Sequence, residues 1–261
     1  MRSNTMIRET AKNSLRGFWG TFVLSILATV AVQAVVNSLF SSLGSSVGTN
    51  NAGNWLDFIL DNFVFFAFSV ALSIMALYLV RGKGIKVADI FLVFDKRLYV
   101  PFLLLNLVST FLNYLLSFAI FLPQFVLSGL NQYLGLVFNF NRGISIDVSM
   151  FNGSIAFVVG TILSIILFFF LSQVVTGVIQ LAIYLRYDQP ELGVLQSIKV
   201  AFALLRPHLG QYIWLQLSLI GWFILGFLAL MIGMLWANAY AYAVNAAFYE
   251  ELINEQRALI R

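Results

Sequence analysis

Charged residues are missing from long stretches of this chain. Residues 18–43, 63–80, 98–122 and 153–185 carry none, and a fifth stretch, 209–249, runs about twice as long as a single crossing needs. A helix spans a hydrocarbon core of roughly 30 Å with about 20 apolar residues. The pattern therefore predicts an all-α polytopic transmembrane bundle of about six spans, near 18–43, 57–80, 98–122, 153–185, 209–230 and 234–252. The last two arise by folding the fifth stretch back near Gly233. A membrane barrel would instead show segments of about ten residues alternating with period two, which these runs do not.

Shorter segments between the spans have helical periodicity on one face only. Val87, Phe91, Phe94 and Leu98 recur at helical spacing while Lys86, Asp89, Asp95 and Lys96 point elsewhere. Leu195, Ile198, Phe202 and Leu205 repeat this, with Gln196 and Lys199 opposite. Both patterns predict amphipathic helices lying on the inner leaflet, near 85–97 and 192–206. Residues 5–17 are a weaker third case. The segment Ala-Leu-Tyr-Leu-Val at 76–80 resembles Ala-Ile-Tyr-Leu-Arg at 182–186, and each precedes an amphipathic stretch and a new span, the arrangement an internal repeat would produce. In the outer loop 123–152, residues 136–140 and the period-two run 144–150 flank Asn141-Arg142-Gly143, which predicts a surface hairpin; an irregular connector is the alternative.

Composition agrees with a membrane solvent: 61% of residues are hydrophobic, 10% charged, and the mean hydropathy is +0.91. An ordinary soluble domain has about 25% charged residues. The placement of charge adds an orientation. Of 15 basic residues, 14 fall in the N-terminal segment, the second and fourth connectors or the C-terminal segment, and only Arg142 falls on the other side. Cytoplasmic loops carry the Lys and Arg excess, so both termini are expected in the cytoplasm. This asymmetry also explains the net charge of +4 without nucleic acid. Trp19, Trp55, Trp214 and Trp236 fall near span ends, whereas Trp222 lies deep and is expected to pack between helices. The apolar run at 18–43 exceeds a signal-peptide core and reads as a retained span.

Candidate chemistry is sparse. Without cysteine, thiolate nucleophiles and Cys-ligated metals are excluded. There is no Walker loop, dinucleotide fingerprint, HExxH or GxSxG motif, so no catalytic, cofactor or metal site is expected. No ionisable residue sits in the middle of a span, which argues against ion coupling. Asp57 and Asp61, one turn apart, fit a helix start better than a carboxylate pair. His208 has no second ligand nearby, and Pro207 is expected to end the preceding amphipathic helix. The polar residues within spans are mainly amides. The pairs Gln33/Asn37, Asn106/Asn113, Gln173/Gln180 and Asn238/Asn245 each share a helix face. They predict either interhelical hydrogen bonds or a polar intramembrane path through Asn106, Asn113, Gln173, Gln180, Asn238 and Asn245. Alanines 239, 243, 246 and 247, like Ala67 and Ala71, form smooth stripes suited to close helix approach.

The stretches at 197–208, 217–222, 232–236 and 248–252, with the opening at 11–19, resemble the bacterial integral-membrane family known as domain of unknown function 975. Where that family usually has Asn-Pro-Tyr, this chain has Asn238-Ala239-Tyr240. The resemblance implies a multi-span protein of the bacterial plasma membrane and supplies no activity. Residues and resemblance together lead to an expected non-enzymatic membrane protein that engages membrane lipid, another membrane protein or a second copy of itself. A small passive transporter or export accessory subunit is the alternative.

Overall fold

The computed structural model describes residues 3–46, 58–141, 155–229 and 232–260. Of these, 91% are helical and none is in a strand, so backbone groups are satisfied within each segment, as hydrocarbon requires. Helix α1 (Asn4–Ser14) is followed by α2 (Trp19–Ser46) and α3 (Phe58–Val80), whose first turns include a π-helical stretch at Asp61–Phe65. A 3-10 helix (Val87–Phe94) leads into α4 (Lys96–Ile120), α5 (Leu122–Ser128) and α6 (Leu130–Asn141). Then come α7 (Ile155–Asp188), α8 (Val194–Leu205), a 3-10 turn (Arg206–His208), α9 (Leu209–Leu228) and α10 (Ile232–Ile260).

Five stretches are long and apolar enough to cross a membrane: Trp19–Phe40, Phe58–Val80, Lys96–Ile120, Phe157–Asp188 and Val194–Leu228, the last including α8. The sixth expected span, α10, is a continuous helix too, but one of different character. It is rich in Ala, Tyr and Asn and packs against α1, α2, α3 and α9. Ala239, Ala243, Ala246 and Ala247 are all buried, so this helix meets protein where the others meet lipid and needs little greasy surface. Its partner at the centre is α3, of which 72% is buried against 11% for α4. Ala67 and Ala71 are fully buried on α3, as the small-residue stripes predict. The reversal between α9 and α10 lies just before Gly233. A Cβ on Gly226 would sit 2.9 Å from the Gly233 backbone, so the two chains touch there without side chains between them. Asn238-Ala239-Tyr240 continues the helix straight through, since no proline removes a backbone donor.

Two expectations need correction, the strand at 136–140 and the deep packing of Trp222. Residues 136–140 belong to α6 and not to a strand, because Tyr133, Leu136 and Val137 share a helical face that packs on α4; the Tyr133 hydroxyl donates to the Phe118 carbonyl at 2.7 Å. The partner run 144–150 lies outside the described residues. Within the connecting segment 85–97, the 3-10 helix Val87–Phe94 buries Ile90 and Val93 at its period of three and leaves Phe91 and Phe94 outward. On α8 the buried line is Ser197, Ala201 and Leu205, with Leu195 and Phe202 exposed. Ser197 and Ala201 let α8 approach its neighbour closely with Leu205 packed beside them, while Leu195 and Phe202 face outward. Trp222 likewise lies half-exposed on the bundle surface, with only one side against Tyr240 at 5.0 Å.

Both halves repeat one order: a span, a short helical segment packed back on it, then a new span. The basic segments converge on one end of the bundle. Asn4 donates to the Gln211 carbonyl at 3.2 Å, and His208 lies 3.6 Å from Glu255 near the end of α10. As expected at Pro207, α8 gives way there to the 3-10 turn.

Candidate functional site

The π-helical stretch of α3 shapes the molecule at the end remote from the basic residues. There the Phe66 N–H reaches the Asp61 carbonyl, one residue further back than an α-helix would allow. The carbonyls this leaves available are taken by α4: Asn106 donates to the Asn62 carbonyl at 3.1 Å and the Tyr99 hydroxyl to the Phe63 carbonyl at 2.5 Å. Thr110 donates to the Asn62 side-chain oxygen at 2.7 Å, while the Asn62 amide donates to the Phe58 carbonyl at 2.9 Å. Helix α4 is thereby hung on α3 by polar contacts near its middle.

Beside this joint lies a cavity of about 370 Å³. Its polar lining is Gln33 from α2, Asp61, Ser69 and Ser73 from α3, Asn106 and Ser109 from α4, Thr176 and Gln180 from α7, and Tyr242 from α10. At about 1.5 Å rise per residue, the lining of α3 from Asp61 to Ser73 extends roughly 18 Å, more than half a hydrocarbon core. The Gln180 amide nitrogen and the Tyr184 hydroxyl are both buried, and the two side chains face each other. No lysine or arginine is among the described residues lining the space.

On the adjoining face of α4 an apolar groove of about 450 Å³ is walled by Phe58, Leu107, Phe111, Tyr114, Leu115, Phe118 and Phe138, with Thr110 at its edge. Phe111 and Leu115 are exposed there. Asn106 and Thr110 are one turn apart, so the polar cavity and the apolar groove share a border along this helix.

Of the residues predicted to form a polar path, two line the cavity, Asn106 and Gln180. Asn113 turns back on its own helix, donating to Ser109 at 2.9 Å, and Asn238 does the same to Met234 at 2.8 Å. Asn245 pairs with Gln216 of α9 at 2.6 Å, an interhelical bond of the kind that packs membrane helices. Gln173 is partly buried on α7 outside the lining. Asp57 lies outside the described residues, whereas Asp61 faces the cavity. Sequence reasoning missed Ser69/Ser73 and Thr176, although Ser69/Ser73 and Thr176/Gln180 both follow the one-turn spacing that had been applied to amides alone.

A second polar cluster closes the basic end. Arg81, at the C-terminal cap of α3, donates two bonds to the Asp188 carboxylate at the end of α7, 2.7 and 2.6 Å, and another to Glu250 of α10. The Tyr249 hydroxyl donates to Asp188 at 2.7 Å, and the Tyr78 and Tyr187 hydroxyls meet beside it. Hydrogen bonding to Asp188 holds the guanidinium pKa above its ordinary value. Gly82, at φ +72°, lets the chain turn as Lys83 N–H reaches back to the Tyr78 carbonyl, which fixes Arg81 at the helix end. The sequence signal was weak: Arg81 and Glu250 each flank an uncharged run, Asp188 follows one closely, and nothing in their spacing pairs them.

A family model described as "Protein of unknown function (DUF975)" matches residues 1–256. No curated protein and no solved structure matches the chain.

Proposed function

Since the chain belongs to the DUF975 family of proteins of unknown function, we propose its role from the site itself: a non-enzymatic, multi-pass protein of the bacterial plasma membrane that engages membrane lipid. In this reading the basic end is cytoplasmic, by the positive-inside rule, and the cavity runs inward from Asp61 on the outer side. One observation carries it: a polar cavity and an apolar groove share a border on α4, the combination a lipid headgroup and chain require. The outward Phe91, Phe94, Leu195 and Phe202 suit contact with the inner leaflet. Native mass spectrometry of protein extracted in mild detergent tests the proposal. Retained lipid is the expected result, and protein stripped of lipid under every mild condition overturns it.

A second reading, a small passive transporter, draws on Asn106 and Gln180, which were expected on a polar path and line the cavity. Its test is swelling of proteoliposomes in uncharged solutes. Swelling no faster than in protein-free vesicles is expected if lipid binding is the role, and clear acceleration would favour transport.

A further inference from the structure

Resting on the lipid reading above, we infer that the site selects a lipid with an uncharged, hydroxyl-rich headgroup, a glycosyl diacylglycerol in chemical class, in preference to a phospholipid. The cavity offers amides and hydroxyls from five helices and one carboxylate, Asp61. These groups donate to and accept from sugar hydroxyls in both senses, while the carboxylate accepts from them. A phosphate calls for the opposite lining: lysine or arginine, or a cluster of backbone N–H groups at a helix start. Neither cation is among the described lining residues.

Size and position agree with this assignment. At about 370 Å³ the cavity falls in the lower part of the roughly 300–1,000 Å³ range of small-ligand pockets. Its depth carries a headgroup from Asp61 down to Gln180, whose amide nitrogen is buried. The Asn62–Thr110 contact forms the ridge between cavity and groove. A headgroup on one side of that ridge places its chain along Phe111, Leu115 and Phe118 on the other.

The test is native mass spectrometry of the full-length protein in a polyoxyethylene detergent, which has no sugar head of its own. A glucosyl diacylglycerol and a phosphatidylglycerol with the same acyl chains are offered together, with free disaccharide in a parallel arm. Preference for the glycolipid by about tenfold or more is expected, since a site lined for hydrogen bonding discriminates strongly against a mismatched group. Free sugar alone is expected not to bind, because the groove contributes through the chain. Gln180→Leu and, separately, Ser69→Leu, which fills the cavity, are expected to reduce glycolipid retention by about tenfold, the worth of one or two lost hydrogen bonds. Phe111→Ser, at an exposed position where folding is not at stake, is expected to lower retention of the lipid by a smaller factor. Equal retention of the two lipids overturns the headgroup assignment and leaves the lipid reading standing. Retention of neither overturns both, and tight binding of free sugar overturns the role of the groove.

Discussion

The two polar regions of this bundle are built on opposite rules. At the basic end, Arg81 is matched by two carboxylates, Asp188 also accepts from Tyr249, and the ends of α3 and α7 are tied to α10. Around the cavity, Asp61 and Ser69 of α3 and Thr176 and Gln180 of α7 face a common space. Polar groups that satisfy one another stabilise a fold; polar groups aimed into a cavity cost stability unless something enters to meet them. On that contrast we read the first cluster as a clamp and propose the second as a site.

That contrast can be broken in order of expected effect. Arg81→Ala leaves Asp188 and Glu250 as adjacent carboxylates without their cation. Removing one partner of a buried pair costs about 3–5 kcal/mol, and side chains roughly a quarter exposed bring this to about 2–4 kcal/mol. Chemical unfolding in detergent measures it, and Arg81→Lys should recover only part, because a point charge cannot make the two-pronged contact with Asp188. Gly226→Ala forces a methyl against the Gly233 backbone and is expected to cost about 1–3 kcal/mol through overpacking, measured the same way. Asn245→Leu strips Gln216 of its partner at an expected cost of about 1 kcal/mol, and the double change with Gln216→Leu should restore most of it. Ser69→Ala, on the cavity wall, is expected to stay within about 0.5 kcal/mol of the parent protein. A loss comparable to that of Arg81→Ala would place Ser69 in the framework and dissolve the distinction between clamp and site.

Much of the scaffold was legible beforehand. Uncharged runs located the spans, the doubled run located the reversal near Gly233, and the alanine stripes marked where helices approach. The amphipathic connectors could be located, while which of their residues are buried was left to the packing. The 3-10 geometry of Val87–Phe94 changed the period from about 3.6 to 3, and α8 turned its small residues inward. Sequence periodicity says that a segment has two faces; in a membrane the more apolar one need not be the buried one, because lipid accepts it as readily as protein does. The same ambiguity explains why six amides were equal candidates and only Asn106 and Gln180 reached the cavity. An amide in a span must find a partner, yet its own helix, a neighbour or a cavity all qualify.

The sequence by itself determined the solvent, the helical class, the approximate spans and the clustering of basic residues, because these depend on local composition and on the length needed to cross hydrocarbon. Only the tertiary structure decided which polar residues are neighbours. Arg81, Asp188 and Glu250 are more than sixty residues apart from one another, and the walls of the cavity come from five helices. Nothing in local composition fixes how those helices rotate against each other. Close packing at glycine and alanine contacts does, and those rotations turn one set of polar side chains into a clamp and another into a site.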